Sequence, residues 1–280
     1  MPDLHKFLDE EDYIEQECLL CMDKAQKDKP LRTIPIGRVI EKLDDYFSRN
    51  DYLGAERHLL YWLEDAKDGK DLRGMLILSN ELMGIYRKTG KKEAAYKKAD
   101  EAIYLLKELE MEESDVAGTT YLNAATVLKA FGEAEKSLTL YKKAQIIYEK
   151  ENKSADQNLG GLYNNMALAL TDIGDYSAAE RYYYKAINIM MSIKEGPLDA
   201  AISYLNLADL AAKRDGLEKA EHEINSLLDK AEELINDNSL TKNGYYAFVC
   251  EKCAPTFLYY GRFLFANELK IRAGSIYERD

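Results

Sequence analysis

The sequence has no long apolar run and few residues that break helices. Its apolar stretches fall far short of the roughly 20 residues that a membrane-spanning helix needs. Five prolines and 16 glycines in 280 residues exclude collagen-like and linker-rich chains. The first 30 residues carry acidic side chains and no apolar core of a secretory signal. We therefore expect a cytoplasmic protein that does not associate with membranes.

Basic side chains are scarce relative to acidic ones. Lysine and arginine number 38 against 50 aspartates and glutamates, which gives a formal net charge of -12. A body this acidic repels phosphate backbones and anionic lipid, so nucleic acid is not expected as a direct partner. Hydrophobic residues still make up 46% of the chain, enough to bury a sizeable core.

Residues that commonly carry chemistry are also few. The four cysteines form two Cys-x-x-Cys pairs, Cys18/Cys21 and Cys250/Cys253, which could in principle supply a four-thiolate zinc site. Both pairs occupy apolar helix positions at opposite ends of the chain, which favours packed, reduced thiols instead. None of the three histidines lies near a serine or cysteine in a pattern typical of nucleophilic catalysis, and no phosphate-binding glycine loop is present. We predict no catalytic residue, no metal site and no cofactor.

A repeated pattern decides the expected fold. Residues 122–132 and 164–174 share a frame of apolar, small and glycine positions at an offset of 42 residues. The same offset relates Tyr141 to Tyr183, and further copies lie upstream and downstream. One position is small in every copy: Ala55, Ala95, Ser137, Ala179, Ala220 and Ala266. A small residue there lets two helices cross closely, because a larger side chain would push them apart.

This frame resembles the tetratricopeptide repeat (TPR), a helix–turn–helix unit with small residues at fixed positions. The resemblance implies an all-α, right-handed superhelical solenoid of about six units. We expect them near 36–75, 76–117, 118–159, 160–200, 201–242 and 243–280, after an N-terminal segment 1–35 whose helix, near 9–28, caps the array. The long period, 40 to 46 residues, is similar to that of kinesin light chains and of the Rap, PlcR and Rgg peptide-sensing regulators of bacteria.

Asparagines recur at one position of the first helix of successive repeats. They are Asn123, Asn165 and Asn206, and Asn80 lies one position off this line, in register with Asn164. The resemblance implies that this helix lines the concave face and that its asparagines hold the backbone of an extended peptide. A carboxamide suits that task because it offers both a donor and an acceptor. The alternative is that these side chains bond between helices.

Charged residues near the asparagines differ between the two ends of the array. Arg87, Lys88 and Lys129 belong to earlier repeats, whereas Asp172, Asp209 and Glu251 belong to later ones. A bound peptide could therefore be oriented by its own charge. We predict that Arg87 and Lys129 assist Asn80, Asn123, Asn165 and Asn206 in binding.

The function that these patterns favour is a non-enzymatic scaffold for a protein or an extended peptide. The alternative is the peptide-sensing domain of a Rap, PlcR or Rgg regulator without its output domain, since residues 1–35 are too short for a DNA-binding helix-turn-helix or a helical bundle. Neighbouring tyrosines at 182–184 and a last repeat without a following capping helix are both compatible with a homodimer.

Overall fold

The computed structural model describes residues 29–150, 157–194 and 196–278, and within these residues the regular structure is entirely helical. The helix predicted near 9–28 and the Cys18/Cys21 pair lie outside the described residues. Twelve helices occur in the described ranges: α1 Ile36–Ser48, α2 Tyr52–Asp68, α3 Leu72–Lys88, α4 Lys92–Glu108, α5 Asp115–Ala130, α6 Ala134–Lys150, α7 Gln157–Asp172, α8 Tyr176–Met191, α9 Pro197–Asp215, α10 Leu217–Ile235, α11 Gly244–Tyr259 and α12 Phe263–Tyr277. The prediction of an all-α helical-repeat fold is confirmed.

The chain divides into two compact units, unit 1 (Met1–Leu78) and unit 2 (Ser79–Asp280). In unit 1, α1 packs against α2, and the core contains Val39, Leu43 and Leu59. A buried carboxylate ties the loop before α1 to the start of α3. Asp71 accepts hydrogen bonds from the backbone N–H groups of Ile34 (3.0 Å) and Gly74 (2.9 Å), so it also caps α3.

Unit 2 is built from helical hairpins whose turns share one feature. Each turn contains a glycine with positive φ, a region that residues with a Cβ avoid. These glycines are Gly90, Gly132, Gly174, Gly216 and Gly261, with φ between 73° and 87°. The residue after the glycine can then donate its N–H back to the helix, as Glu133 does to the carbonyl of Leu128 at 2.9 Å. In unit 1 the corresponding turn uses Asn50, at φ 54°.

The small residues predicted at the helix crossing are buried in both units. Ala55, Ala95, Ser137, Ala179, Ala220 and Ala266 are at most 2% exposed. Large side chains fill the space further along the second helices, and Tyr141 and Tyr183 are fully buried at equivalent places in α6 and α8. Small crossing residues and large filling residues together fix the distance between helices.

The first helices of successive hairpins in unit 2 contact one another, α5 with α7, α7 with α9 and α9 with α11. Their exposed sides, together with α3 from Ser79 onward, form a continuous surface that we call the first-helix face. In the described part of the chain, no helix combines the length and apolar composition needed to cross a membrane.

Candidate functional site

The asparagines of α3 and α5 are joined by hydrogen bonds. Asn123 donates from Nδ2 to Oδ1 of Asn80 at 3.0 Å, and Asn80 donates from its own Nδ2 to Oγ1 of Thr120 at 3.0 Å. Both asparagines are half-buried on the first-helix face. The bonds hold the Asn123 carboxamide in one orientation, and no bond in the described residues uses its Oδ1.

A second pair repeats this arrangement between α7 and α9. Asn206 donates from Nδ2 to Oδ1 of Asn164 at 3.0 Å. The buried hydroxyl of Ser203 shares its proton between this oxygen and the carbonyl of Asp199, each at 3.1 Å. Among the described residues, Nδ2 of Asn164 and Oδ1 of Asn206 form no hydrogen bond. Two neighbouring carboxamides therefore offer one donor and one acceptor beside each other.

The remaining predicted site residues lie in different settings. Asn165 is half-buried next to Asn164 and forms no hydrogen bond within the described ranges. Arg87 is exposed at the end of α3. Lys129 forms an ion pair with Asp172 (Nζ to Oδ2, 3.3 Å), so a basic residue of the early repeats meets an acidic residue of the later ones. The predicted contrast between a basic and an acidic end is reduced by this pair.

A cavity of about 310 Å³ lies between α7, α9 and α11, and Tyr183 of α8 and Leu217 of α10 complete its lining. Its polar lining includes Asp172, Asn206, Asp209 and Lys213, and its aromatic lining includes Tyr183, Tyr259 and Tyr260. Such a volume lies at the lower end of the range for ligand pockets in proteins. The cavity is therefore large enough for a single side chain of a bound molecule.

The two carboxylates of the cavity differ in their partners. Asp172 has two ammonium groups close by, Lys129 at 3.3 Å and Lys213 at 3.7 Å. Asp209 forms no ion pair in the described part of the chain and accepts a hydrogen bond from the hydroxyl of Tyr260 at 2.8 Å. Burial raises the pKa of Asp209 more than the Tyr260 bond and the Lys213 charge lower it. Asp209 is thus a partly desolvated carboxylate that lacks a close cation.

Tyr183 also lines this cavity, and its buried hydroxyl has no partner in the described structure. Its side chain is 0% exposed, and its hydroxyl forms no hydrogen bond in the described structure. Burial raises the pKa of this phenol, and the charges of Asp209 and Asp172 raise it further. Thr171 lies near and partly offsets the rise, but its hydroxyl, which donates to the carbonyl of Ala167 at 2.8 Å, is not within hydrogen-bonding geometry of Tyr183.

The repeat frame explains why this hydroxyl is unpaired. Tyr141 occupies the equivalent place one repeat earlier, and its hydroxyl lies 3.2 Å from Oγ1 of Thr126. The residue 42 positions after Thr126 is Leu168, which lines the cavity and offers no hydrogen-bonding atom from its side chain. The repeat frame showed Tyr183 only as the equivalent of Tyr141, and the cavity was not predicted from the sequence. The exchange of threonine for leucine beside a retained tyrosine was the signal available in the sequence.

The cysteines that the structure describes are buried, whereas its described histidines are half-buried or exposed. Cys250 and Cys253 are buried in α11, and burial raises the pKa of both thiols, that of Cys253 to about 12. His58 hydrogen bonds to the carbonyl of Val39 at 3.0 Å, and His222 is exposed on α10. Among the described residues, no three His, Cys, Asp or Glu side chains cluster as they would around a metal ion. The absence of catalytic residues stays a prediction.

Comparison with known proteins identifies the architecture through solved structures. No family model and no curated protein matches this chain. BtubC (BKLC) from P. vanneervenii superposes with a TM-score of 0.62 at 19% sequence identity, over 74% of this chain and 83% of that chain. A Podosopora anserina protein described as a kinesin light chain with nearly identical TPR-like repeats gives a TM-score of 0.52 at 15% identity, over 72% and 94% of the two chains. A point variant of that protein gives the same values.

Identities this low establish the fold and leave ligand and partner open. The chain has a TPR-like helical-repeat fold.

Proposed function

We propose that this protein is a non-enzymatic scaffold that holds an extended peptide, or an extended segment of a partner protein, along the first-helix face of unit 2. A TPR-like repeat fold is typical of proteins that bind other proteins. The observation that supports a peptide ligand is the Asn164–Asn206 pair, whose hydrogen bond leaves one donor and one acceptor side by side. A cytoplasmic location and a homodimer stay predictions from the sequence.

The chemistry of the asparagines matches a peptide backbone. Each peptide group presents one N–H and one carbonyl, so a carboxamide can pair with it whatever side chain follows. Asn164 would donate to a peptide carbonyl, while Asn206 and Asn123 would accept from peptide N–H groups and Asn165 would do either. Bonds between helices already fix Asn123 and Asn206. Binding therefore costs less side-chain entropy than it would with free side chains.

Arg87 and Lys129 would act on the charge of the ligand. Arg87 is exposed and would contact an acidic group near the end of the peptide that lies over α3. Lys129 already forms an ion pair with Asp172, so we assign it a smaller contribution to ligand binding than Arg87. Asn80 would act mainly through Asn123, because its hydrogen bonds to Thr120 and Asn123 use both of its polar atoms.

The test is selection of a random-peptide phage library on the full chain, followed by synthesis of the enriched peptides and measurement of their affinity. The variant is the triple substitution Asn123→Ala, Asn165→Ala and Asn206→Ala. We expect it to weaken binding at least about tenfold, because each lost hydrogen bond contributes about 1 kcal/mol. Asn188→Ala is the matched control, since Asn188 is exposed on the second helix α8.

Circular dichroism of all variants first confirms equal helicity. Peptides that the triple variant and the control bind as tightly as the wild type would show that the asparagines are structural and that binding occurs elsewhere. Failure to enrich any peptide would count against an extended peptide as the ligand.

A further inference from the structure

We propose that the cavity between α7, α9 and α11 seats an arginine side chain of the bound peptide, with Asp209 as its counter-charge. This inference rests on the proposed function and adds a preference for one side chain at one place along the first-helix face. The cavity lies beside the Asn164–Asn206 pair, because Asn206 contributes to both. A peptide held by that pair would therefore pass directly over the opening.

The hydrogen-bonding atoms of the cavity favour a ligand that donates. Asp209 has one donor, the Tyr260 hydroxyl, and no ion pair in the described chain. Asn206 uses its Nδ2 toward Asn164, which leaves its acceptor oxygen for a ligand. A guanidinium carries five N–H donors and no acceptor, so it complements such a set better than a neutral group does.

Lys213, the cationic residue that lines the cavity, does not form an ion pair with Asp209 in the described structure. Lys213 lies 3.7 Å from Asp172, and Lys129 approaches the same carboxylate at 3.3 Å. Both ammonium groups are thus drawn to Asp172 and leave Asp209 as the carboxylate of the cavity without a salt bridge. An anionic ligand would meet Asp209 in a partly desolvated site, which is unfavourable.

Aromatic rings form the wall next to Asp209. Tyr259 and Tyr260 pack edge to face with their ring centres 4.9 Å apart, and Tyr259 is 70% exposed. A tyrosine face left open beside a carboxylate is a favourable surface for a planar cation, which gains from the negative face of the ring. Stacking on tyrosine also favours arginine over lysine, because the guanidinium is planar.

Tyr183 supplies a second, independent observation. Buried polar groups in folded proteins nearly always have a hydrogen-bond partner, and this fully buried hydroxyl has none in the described structure. Tyr183 lines the same cavity as Asp172 and Asp209, and the charges of both carboxylates act on its hydroxyl. A guanidinium bound by Asp209 would give its oxygen the donor that it lacks.

The test uses two small probes on the full chain, N-acetyl-arginine amide and N-acetyl-citrulline amide. Citrulline keeps the shape of the arginine side chain and removes its charge. In NMR titrations we expect the arginine probe to shift the signals of Asn206 and Ala212, which line the cavity, and the citrulline probe to leave them in place.

Three variants sharpen the titration. We expect Asp209→Asn to weaken arginine binding about tenfold or more, since a hydrogen bond to a charged group is worth more than a neutral one. Tyr183→Phe should weaken it by a smaller factor. Asp100→Asn, an exposed carboxylate on α4, should leave it unchanged.

Equal binding of the two probes, no binding of either, or full binding by Asp209→Asn would each overturn the arginine site. The site and the proposed function can fail separately. Enriched peptides that need the asparagines, together with an inactive arginine probe, would keep the function and remove the site. Arginine binding at the cavity without any enriched peptide would remove the proposed function and leave a cation site.

Discussion

Two equivalent tyrosines allow the cost of an unpaired hydroxyl to be measured within one molecule. Tyr141 and Tyr183 are both fully buried and lie 42 residues apart in the repeat frame. The hydroxyl of Thr126 donates to the carbonyl of Leu122 at 2.8 Å, so in the 3.2 Å contact with Tyr141 it is the tyrosine that donates. Tyr183 has no such acceptor in the described residues. Replacement by phenylalanine therefore removes a hydrogen bond at one position and an unsatisfied polar group at the other.

The two substitutions should change stability in opposite directions. Tyr141→Phe should lower the free energy of unfolding by about 1 kcal/mol, the usual net value of one hydrogen bond. Tyr183→Phe should leave it unchanged or raise it by up to about 1 kcal/mol, because the desolvation of a hydroxyl no longer opposes folding. The two variants would then differ by about 1 to 2 kcal/mol, although the same atom is removed from the same place in the repeat.

Urea unfolding followed by far-ultraviolet circular dichroism measures this difference. Fluorescence of Trp62, the single tryptophan, follows unfolding of unit 1 in the same samples. A Tyr183→Phe variant as destabilised as Tyr141→Phe would refute the reasoning, since it would show that the Tyr183 hydroxyl has a stabilising partner.

Three further predictions concern charge, turns and thiols. Burial raises the pKa of Asp209 above its value in the unfolded chain, so this carboxylate opposes folding increasingly as the pH rises from the unfolded-state pKa to the raised one, and by a constant amount above it. Asp209→Asn should therefore raise the melting temperature at neutral pH and less so in acid. Gly132→Ala should lower the free energy of unfolding by about 1 kcal/mol. The cause is the positive φ of Gly132 alone, because an added Cβ meets nothing within 4 Å. Glu110→Gly should raise the free energy of unfolding by about 0.5 kcal/mol, because Glu110 has φ 53°. Iodoacetamide should label Cys250 and Cys253 slowly in the native chain and quickly in urea, as resolved by peptide mass spectrometry; fast native labelling would contradict their burial and raised pKa.

The hairpin repeat could be predicted from the sequence because it depends on local and periodic features. Small residues such as Ala95 and Ala179 recur where helices cross, and glycines such as Gly132 and Gly174 recur in the turns, so a fixed offset exposes both. The asparagine positions were also visible, and the alternative that they bond between helices is observed for Asn123 with Asn80. Their role toward a ligand stays a prediction.

The cavity could not be predicted in the same way. It depends on how much space three helices leave between Leu168, Asp209 and Tyr260, which lie far apart in the sequence. The partners of Asp172 and Asp209 depend on side-chain reach, and charge counting along the sequence placed both residues in one acidic group. Packing between repeats separated them into a paired and an unpaired carboxylate.

The way the hairpins of unit 2 pack also bears on how the chain reaches its fold. The contacts join helices that are neighbours or next neighbours along the chain, so few of them require the closure of a long loop. Contacts of this kind favour rapid folding that can start at more than one hairpin and spread to the next. During synthesis, a hairpin such as α5–α6 can form as soon as its second helix has left the ribosome, and it then offers a surface on which the following hairpin folds.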